Sequence, residues 1–206
     1  MGKQLLLDKR YIRKVLRRQR GQAFQEDEDF GVEAAQGLVE MGQRLIDAGD
    51  FSVVAGYIPM GSEIDPRPLM MGFAEAGATL CLPEVLSQSS PLQFREWQPG
   101  AMLMSGLLGT LQPMDSAPVV KPDLLLVPLL GVDAFGVRLG QGGGFYDRTL
   151  EQLSPFGVRA YGVAFDSQIV ERLPAEGHDQ LLDGVITPSC CIGWTAERQL
   201  RYLAQA

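Results

Sequence analysis

Histidine and cysteine are scarce in this chain of 206 residues: one histidine, His178, and three cysteines, Cys81, Cys190 and Cys191. One histidine excludes a His-rich zinc centre, and no Cys-x-x-Cys pair supplies a thiolate alternative. A Ser-His-Asp hydrolase would have to use His178, and the Gly-x-Ser-x-Gly elbow is absent. Cys190 and Cys191 are adjacent and point opposite ways on a strand, so the cysteines read as small apolar residues of a reducing compartment. No apolar run is long enough to cross a bilayer. The basic N-terminus has no apolar segment behind it, so the expected location is cytoplasmic. The only Gly-Lys pair, Gly2-Lys3, has no motif before it, which excludes a Walker loop.

Glycine is what the chain has in excess, at 24 residues, with no Gly-X-Y repeat to make it collagenous. The excess therefore belongs in turns and close-packed loops. Hydrophobic residues at 46% and charged residues at 21% are those of an ordinary globular protein, and the length suits one domain. The net charge of -7 argues against a bulk nucleic-acid binder. That charge is unevenly spread. Residues 1–20 carry eight basic groups and one acid, Asp8; the other 186 residues carry ten basic and twenty-four acidic groups.

Periodicity predicts a helix over 8–20, where Tyr11, Ile12, Val15 and Leu16 fall at helical spacing, and a second over 33–47. FSVVAGYIP at 51–59 reads as a buried strand. Residues 65–76 open on Asp65-Pro66 and read as a helix. Strands are expected at 78–83, 91–97, 123–130, 157–165 and 183–188, a helix from about Tyr146, and a helix over 195–204. Residues 100–118 read as loop. The continuous apolar run at 123–130 fits a central strand buried on both faces. Strands alternating with helices predict a mostly parallel α/β sheet covered on both faces.

Four segments carry chemistry. The sharpest is RLGQGGGFYDR, Arg138 to Arg148. Gly140, Gly142, Gly143 and Gly144 leave backbone amides free to approach an anion, and the helix after them adds its positive dipole end. Arg138 and Arg148 bracket the loop with guanidinium groups suited to phosphate, and Asp147 could hold magnesium bridging phosphates. Phe145 at the sixth position of GQGGGF excludes the dinucleotide fingerprint. In GYIPMGSEIDPRPL, Glu63, Asp65 and Arg67 crowd the end of a strand, where open α/β sheets bind ligands. In LPAEGHDQLLDGVITP, Asp179 is a second carboxylate for a metal. In QFREWQPG, Phe94 and Trp97 offer a stacking surface. Each segment alone also fits a structural role: a surface turn, a charged helix cap, a solvated loop and a core aromatic.

Taken together, AGYIPMGSEIDPRPL, VDAFGVRLGQGGGFYDR and LPAEGHDQLLDGVIT resemble the 5-formyltetrahydrofolate cyclo-ligase family, in its order, over about Lys9 to Pro188. The resemblance implies a three-layer α/β/α fold related to sugar-phosphate isomerases and CoA transferases. It implies one catalytic domain over 1–206 that converts 5-formyltetrahydrofolate to 5,10-methenyltetrahydrofolate with cleavage of ATP, and with magnesium. The implied ATP site comprises Lys9, Arg10, Tyr11, Ile12 and Arg13 with Arg138, Leu139, Gly140, Gln141, Gly142, Gly143, Gly144, Phe145 and Tyr146. The implied metal carboxylates are Asp147 and Asp179, and the folate contacts are Glu63, Ile58 and Trp97. Arg138 and Asp147 are the expected catalytic residues. Gln141, Phe145 and Glu84 stand where the family often has an aromatic or basic residue, a tyrosine and a basic residue.

The expected partners are small molecules, with no nucleic acid and no membrane, on a monomer or weak homodimer. Two alternatives stay open at this point. One is a non-catalytic nucleotide- or folate-binding protein on the same fold. The other makes the basic first helix an arm for RNA or a membrane surface.

Overall fold

The computed structural model describes residues 8–27, 29 and 31–195. The expected helix over 195–204 lies, apart from Thr195, outside the described residues. Among the described residues no helix is long and apolar enough to cross a membrane.

Helix α1 (Lys9–Glu26) starts where the Asp8 carboxylate accepts the Arg10 N–H at 3.0 Å, satisfying one free amide of the first turn. It runs past the expected end at Arg20 because Ala23 and Phe24 continue its apolar face onto the main core. Helix α2 (Val32–Asp47) is next, then β1 (Val53–Ala55) and α3 (Arg67–Glu75). Gly42 lets α2 approach α3, since a Cβ there would overlap the Leu69 side chain. Strands β2 (Thr79–Glu84) and β3 (Gln93–Glu96) come after α3.

The segment expected as loop contains a hairpin, β4 (Leu103–Ser105) and β5 (Leu111–Pro113). Its three-residue strands are too short to show a period of two, which is why the sequence reads as loop. Then come β6 (Val119–Val120), the central β7 (Leu124–Pro128), β8 (Gly131–Asp133) and β9 (Arg138–Leu139). Helix α4 (Phe145–Leu153) succeeds them, and β10 (Arg159–Val163), β11 (Ile169–Val170), β12 (Gly184–Ile186) and β13 (Cys191–Gly193) complete the order.

The main sheet has eight strands in the order β13-β12-β10-β7-β1-β2-β3-β6. The inner five are parallel; on one edge β3 runs antiparallel to both β2 and β6, and on the other β13 runs antiparallel to β12. Alternate side chains serve opposite layers. Val54, Leu80, Leu124, Leu126 and Val163 face α2 and α3, where they meet Leu38, Leu69, Met70 and Phe73. Ala55, Cys81, Leu125, Val127 and Val185 face the other way, toward Leu150 and Leu153 of α4. Burying each such leucine contributes about 1.5–3 kcal/mol. The result is the expected three-layer α/β/α arrangement.

Two features of this frame position the site. The chain leaves β1 for β2 on one side and later returns to β7 on the other, so the strand order reverses beside β1. Ligand crevices of open α/β sheets form at such a reversal, outside the carboxyl ends of the strands. A small sheet in the order β11-β8-β9 carries α1, with Ile12 and Leu16 packed on Leu130, Val137, Leu139 and Leu173. The fully buried Asp133 ties this sheet together by accepting the N–H groups of Phe135, Val137 and Leu173 at 2.9, 3.0 and 3.1 Å. Burial pushes its carboxyl up, and the three hydrogen bonds act against that shift.

Candidate active site

The loop after β1 sets the first wall. Tyr57 is buried, and its hydroxyl donates to the Ile64 carbonyl at 2.9 Å, closing the loop on itself. That closure presents Glu63, whose Oε2 accepts the Met60 N–H at 3.0 Å and whose Oε1 accepts from Arg20 at 3.3 Å. The neighbouring Asp65 and Arg67 engage each other instead, at 2.6 Å, so of the three charges crowded there only Glu63 lines the cavity.

The glycine loop sets the second wall. Gly142 and Gly144 have φ of 105° and 68°, backbone that a Cβ would strain. The loop delivers the chain to the start of α4, whose first-turn amides have no partner within the helix. Arg138 is buried beneath it. Its Nη2 donates to Asp147 Oδ1 at 2.7 Å, while its Nη1 has no hydrogen-bond partner among the described residues. From α1, Arg13 Nε donates to the Gly140 carbonyl at 3.0 Å and Arg17 Nη2 to Gln141 Oε1 at 2.7 Å. Arg148 does not face the cavity; it donates to the carbonyls of Gln88, Ser90 and Gly143, and its guanidinium lies 5.1 Å from the Phe145 ring centre. The phosphate-facing position expected of Arg148 is therefore corrected: it does not line the cavity, and its Nε and Nη2 donate within the protein.

The third wall is the 173–180 segment. Asp179 Oδ2 accepts from Lys9 Nζ and from the Glu176 N–H, both at 2.7 Å. The Gln180 N–H donates to Asp147 Oδ1 at 3.3 Å, which brings the carboxylates of the second and third walls to adjoining positions. Donor atoms of Glu176, His178 and Asp179 lie within 4.8 Å of one another.

These walls enclose a cavity of about 760 Å³ at the carboxyl ends of β1, β2 and β7. Volumes of about 300–1,000 Å³ are usual for small-molecule sites. Lys9, Arg10, Arg13, Ile58, Glu63, the whole run from Arg138 to Asp147, and Asp179 line it. Three expected residues lie elsewhere. Tyr11 projects outward at 59% exposed, because it is on the outer face of α1. Ile12 packs into the core beneath the helix. Trp97 is 7% exposed within the main core, since its backbone N–H bonds the Leu80 carbonyl and turns the indole inward.

Sequence reasoning missed Leu108, Thr110 and Leu111, which reach the cavity from the β4–β5 hairpin. Leu108 has φ of 61°, an unusual value for a non-glycine residue, and nothing in the small, apolar run around it marks it in the sequence. It also missed Val85, and Tyr57, Pro83, Pro128 and Leu129, which read as strand residues and become wall where the strands end. Tyr57 and Tyr146 lie near Glu63. Burial first, and the Glu63 charge second, push both hydroxyls up, so both stay protonated at neutral pH.

The positions that depart from common family residues have partners in the structure. Gln141 is held by Arg17, and Glu84 accepts from Arg95 Nε at 2.7 Å and Gln93 Nε2 at 2.9 Å.

Comparison with known proteins gives concordant results. The family model described as the 5-formyltetrahydrofolate cyclo-ligase family matches residues 6–188. The 5-formyltetrahydrofolate cyclo-ligase of Escherichia coli K12 is 36% identical over 146 residues, covering 68% of this chain and 80% of the relative. The protein of the same name from Mycolicibacterium smegmatis is 34% identical over 143 residues, covering 66% and 73%. The structure of Aquifex aeolicus 5,10-methenyltetrahydrofolate synthetase superposes with a TM-score of 0.74 at 26% identity, covering 90% of this chain and 92% of that one.

Proposed function

This chain belongs to the 5-formyltetrahydrofolate cyclo-ligase family, and from that premise we propose that it closes 5-formyltetrahydrofolate to 5,10-methenyltetrahydrofolate while cleaving ATP to ADP and phosphate. The observation that carries the ATP half of this reading is Arg138 Nη1, a buried guanidinium donor with no hydrogen-bond partner among the described residues, beside a loop of uncovered amides. A buried donor left unpaired costs about 1–3 kcal/mol, and an anionic oxygen in the cavity would recover that cost. Arg10, Arg13 and the start of α4 add positive potential to the same wall. The basic first helix on an acidic body is, in this reading, one side of the triphosphate site.

The reaction needs no covalent enzyme nucleophile. The formyl oxygen attacks the γ-phosphorus, and the bond to the bridging oxygen breaks to release ADP. N10 of the folate then attacks the activated carbon, its proton is lost, and the C–O bond breaks to release phosphate. The oxygen that leaves is the formyl oxygen, so atoms balance. The chain's own task is to hold two substrates in line and to offset charge on the transferring group. Arg138 and the 140–145 amides do so at the phosphoryl oxygens. Glu63 accepts hydrogen bonds from pterin N–H groups, with Ile58 against the ring.

Asp147, Asp179 and Glu176 are hard oxygen donors of the kind magnesium takes, and they adjoin the phosphate wall. The residues therefore fit a magnesium ion, which when bound would neutralise phosphate charge. Lys9 and Arg138 now engage the same carboxylates, so a cation and a nucleotide would exchange partners with them. We propose further that residues 1–206 act as one catalytic domain, in the cytoplasm.

The test is absorbance of methenyltetrahydrofolate formed by purified protein with magnesium. Product that appears only with ATP, matched by one ADP per turnover, is the expected result. Tight folate binding without turnover would instead favour the non-catalytic alternative.

A further inference from the structure

Arg20 is buried, at 5% exposed, yet it belongs to a helix whose other arginines are partly or wholly exposed. It lies two to three turns beyond Lys9 and Arg13, the residues that reach the phosphate wall. At that distance along α1 it meets the loop after β1. Its Nε donates to Ser62 Oγ at 3.2 Å and its Nη1 to Glu63 Oε1 at 3.3 Å. The Glu63 side chain is itself only 12% exposed, and its other oxygen accepts the Met60 N–H. The carboxylate is thus gripped at both oxygens, by the loop it belongs to and by a cation from another element.

We propose that Arg20 is a positioning residue for Glu63: it fixes the carboxylate's orientation and charge, and so sets affinity for the donor-rich edge of the folate. This rests on the reading of Glu63 as the pterin contact. A carboxylate free to rotate would have to be ordered by substrate; one already held by Arg20 and Met60 is pre-organised. The same helix consequently serves both substrates, through Lys9 and Arg13 at the phosphates and Arg20 at the folate. Arg20 does not line the cavity, so it acts through Glu63 rather than on substrate.

Steady-state kinetics of the full chain test this with Arg20→Met, Arg20→Lys, Glu63→Gln and the Arg20→Met/Glu63→Gln pair, alongside thermal melts. Wild-type turnover is measured first: its absence would sink the cyclo-ligase reading itself, a failure distinct from that of the Arg20 proposal. Given turnover, Arg20→Met should raise the folate KM about tenfold and leave the ATP KM within about twofold, a tenfold change being about 1.4 kcal/mol. Arg20→Lys, which keeps charge but loses the fork, should fall between, at about threefold. In the Glu63→Gln background the same Arg20→Met change should add less than about twofold, because the interaction is already lost. Effects that add in full, or that raise both KM values equally, would overturn the proposal. If Arg20→Met fails to fold, Arg20→Lys and its combination with Glu63→Gln decide it by the same criteria.

Discussion

The two ends of the cavity are made of opposite materials. The end built on the glycine loop offers backbone amides and cations, and several of its charges neutralise each other: Lys9 with Asp179, Arg138 with Asp147. The end built on the loop after β1 and the neighbouring strand ends offers one carboxylate, Tyr57 held protonated, and apolar side chains such as Ile58, Val85 and Leu129. At the first end a ligand must displace internal pairs, and binding there costs reorganisation. At the second the carboxylate is already held in place, and binding there is closer to insertion. Substitutions at the first end should therefore strike turnover and ATP, and those at the second should strike folate affinity.

The largest effect should come from Arg138→Ala. Losing a donor aimed at a transferring group costs about 3 kcal/mol, roughly a hundredfold in rate. We expect kcat to fall by about that factor, measured by product absorbance, with a circular dichroism spectrum like that of wild type. Near-normal kcat would remove the asymmetry at its strongest point. Glu63→Gln should come next and break the other way: it replaces one acceptor oxygen with a donor, so the folate KM should rise about tenfold while the ATP KM holds within about twofold. An equal rise in both would merge the two ends.

Gly142→Ala should be smaller. At φ of 105° an alanine is strained by about 1–2 kcal/mol, and its Cβ would sit 3.3 Å from the Arg13 guanidinium carbon. The ATP KM should rise about fivefold with the folate KM unchanged, read by steady-state kinetics at saturating co-substrate.

Legibility in the sequence differs between the same two ends. The glycine loop is contiguous from Arg138 to Asp147, and every residue of it lines the cavity, because one short segment supplies a whole wall. The wall that we propose for folate is assembled from residues at the ends of β1, β2 and β7 and from the β4–β5 hairpin, so its members are separated by dozens of residues. Pro83, Leu129 and Leu111 look like ordinary strand or turn residues until the strands are set side by side. Helix α1 shows a related limit. Its basic content is plain in the sequence, but which arginines turn inward depends on the small sheet it packs against, and that sheet is made of two- and three-residue strands with no readable period.

Trp97 gives the smallest expected effect and sharpens the boundary between wall and core. Its motif suggests a stacking surface for folate, yet the indole packs among core residues and its Nε1 has no hydrogen-bond partner among the described residues. Phenylalanine at this position would remove that unpaired donor, which is a gain, and leave a small void, which is a loss of about 1 kcal/mol. These oppose each other, so the melting temperature should move by no more than about 4 °C for a domain of this size. The folate KM should stay within about twofold, because nothing that touches the cavity has changed. A tenfold rise in folate KM with an unchanged melt would put Trp97 on the wall after all, and the folate end would then have an aromatic platform as well as a carboxylate.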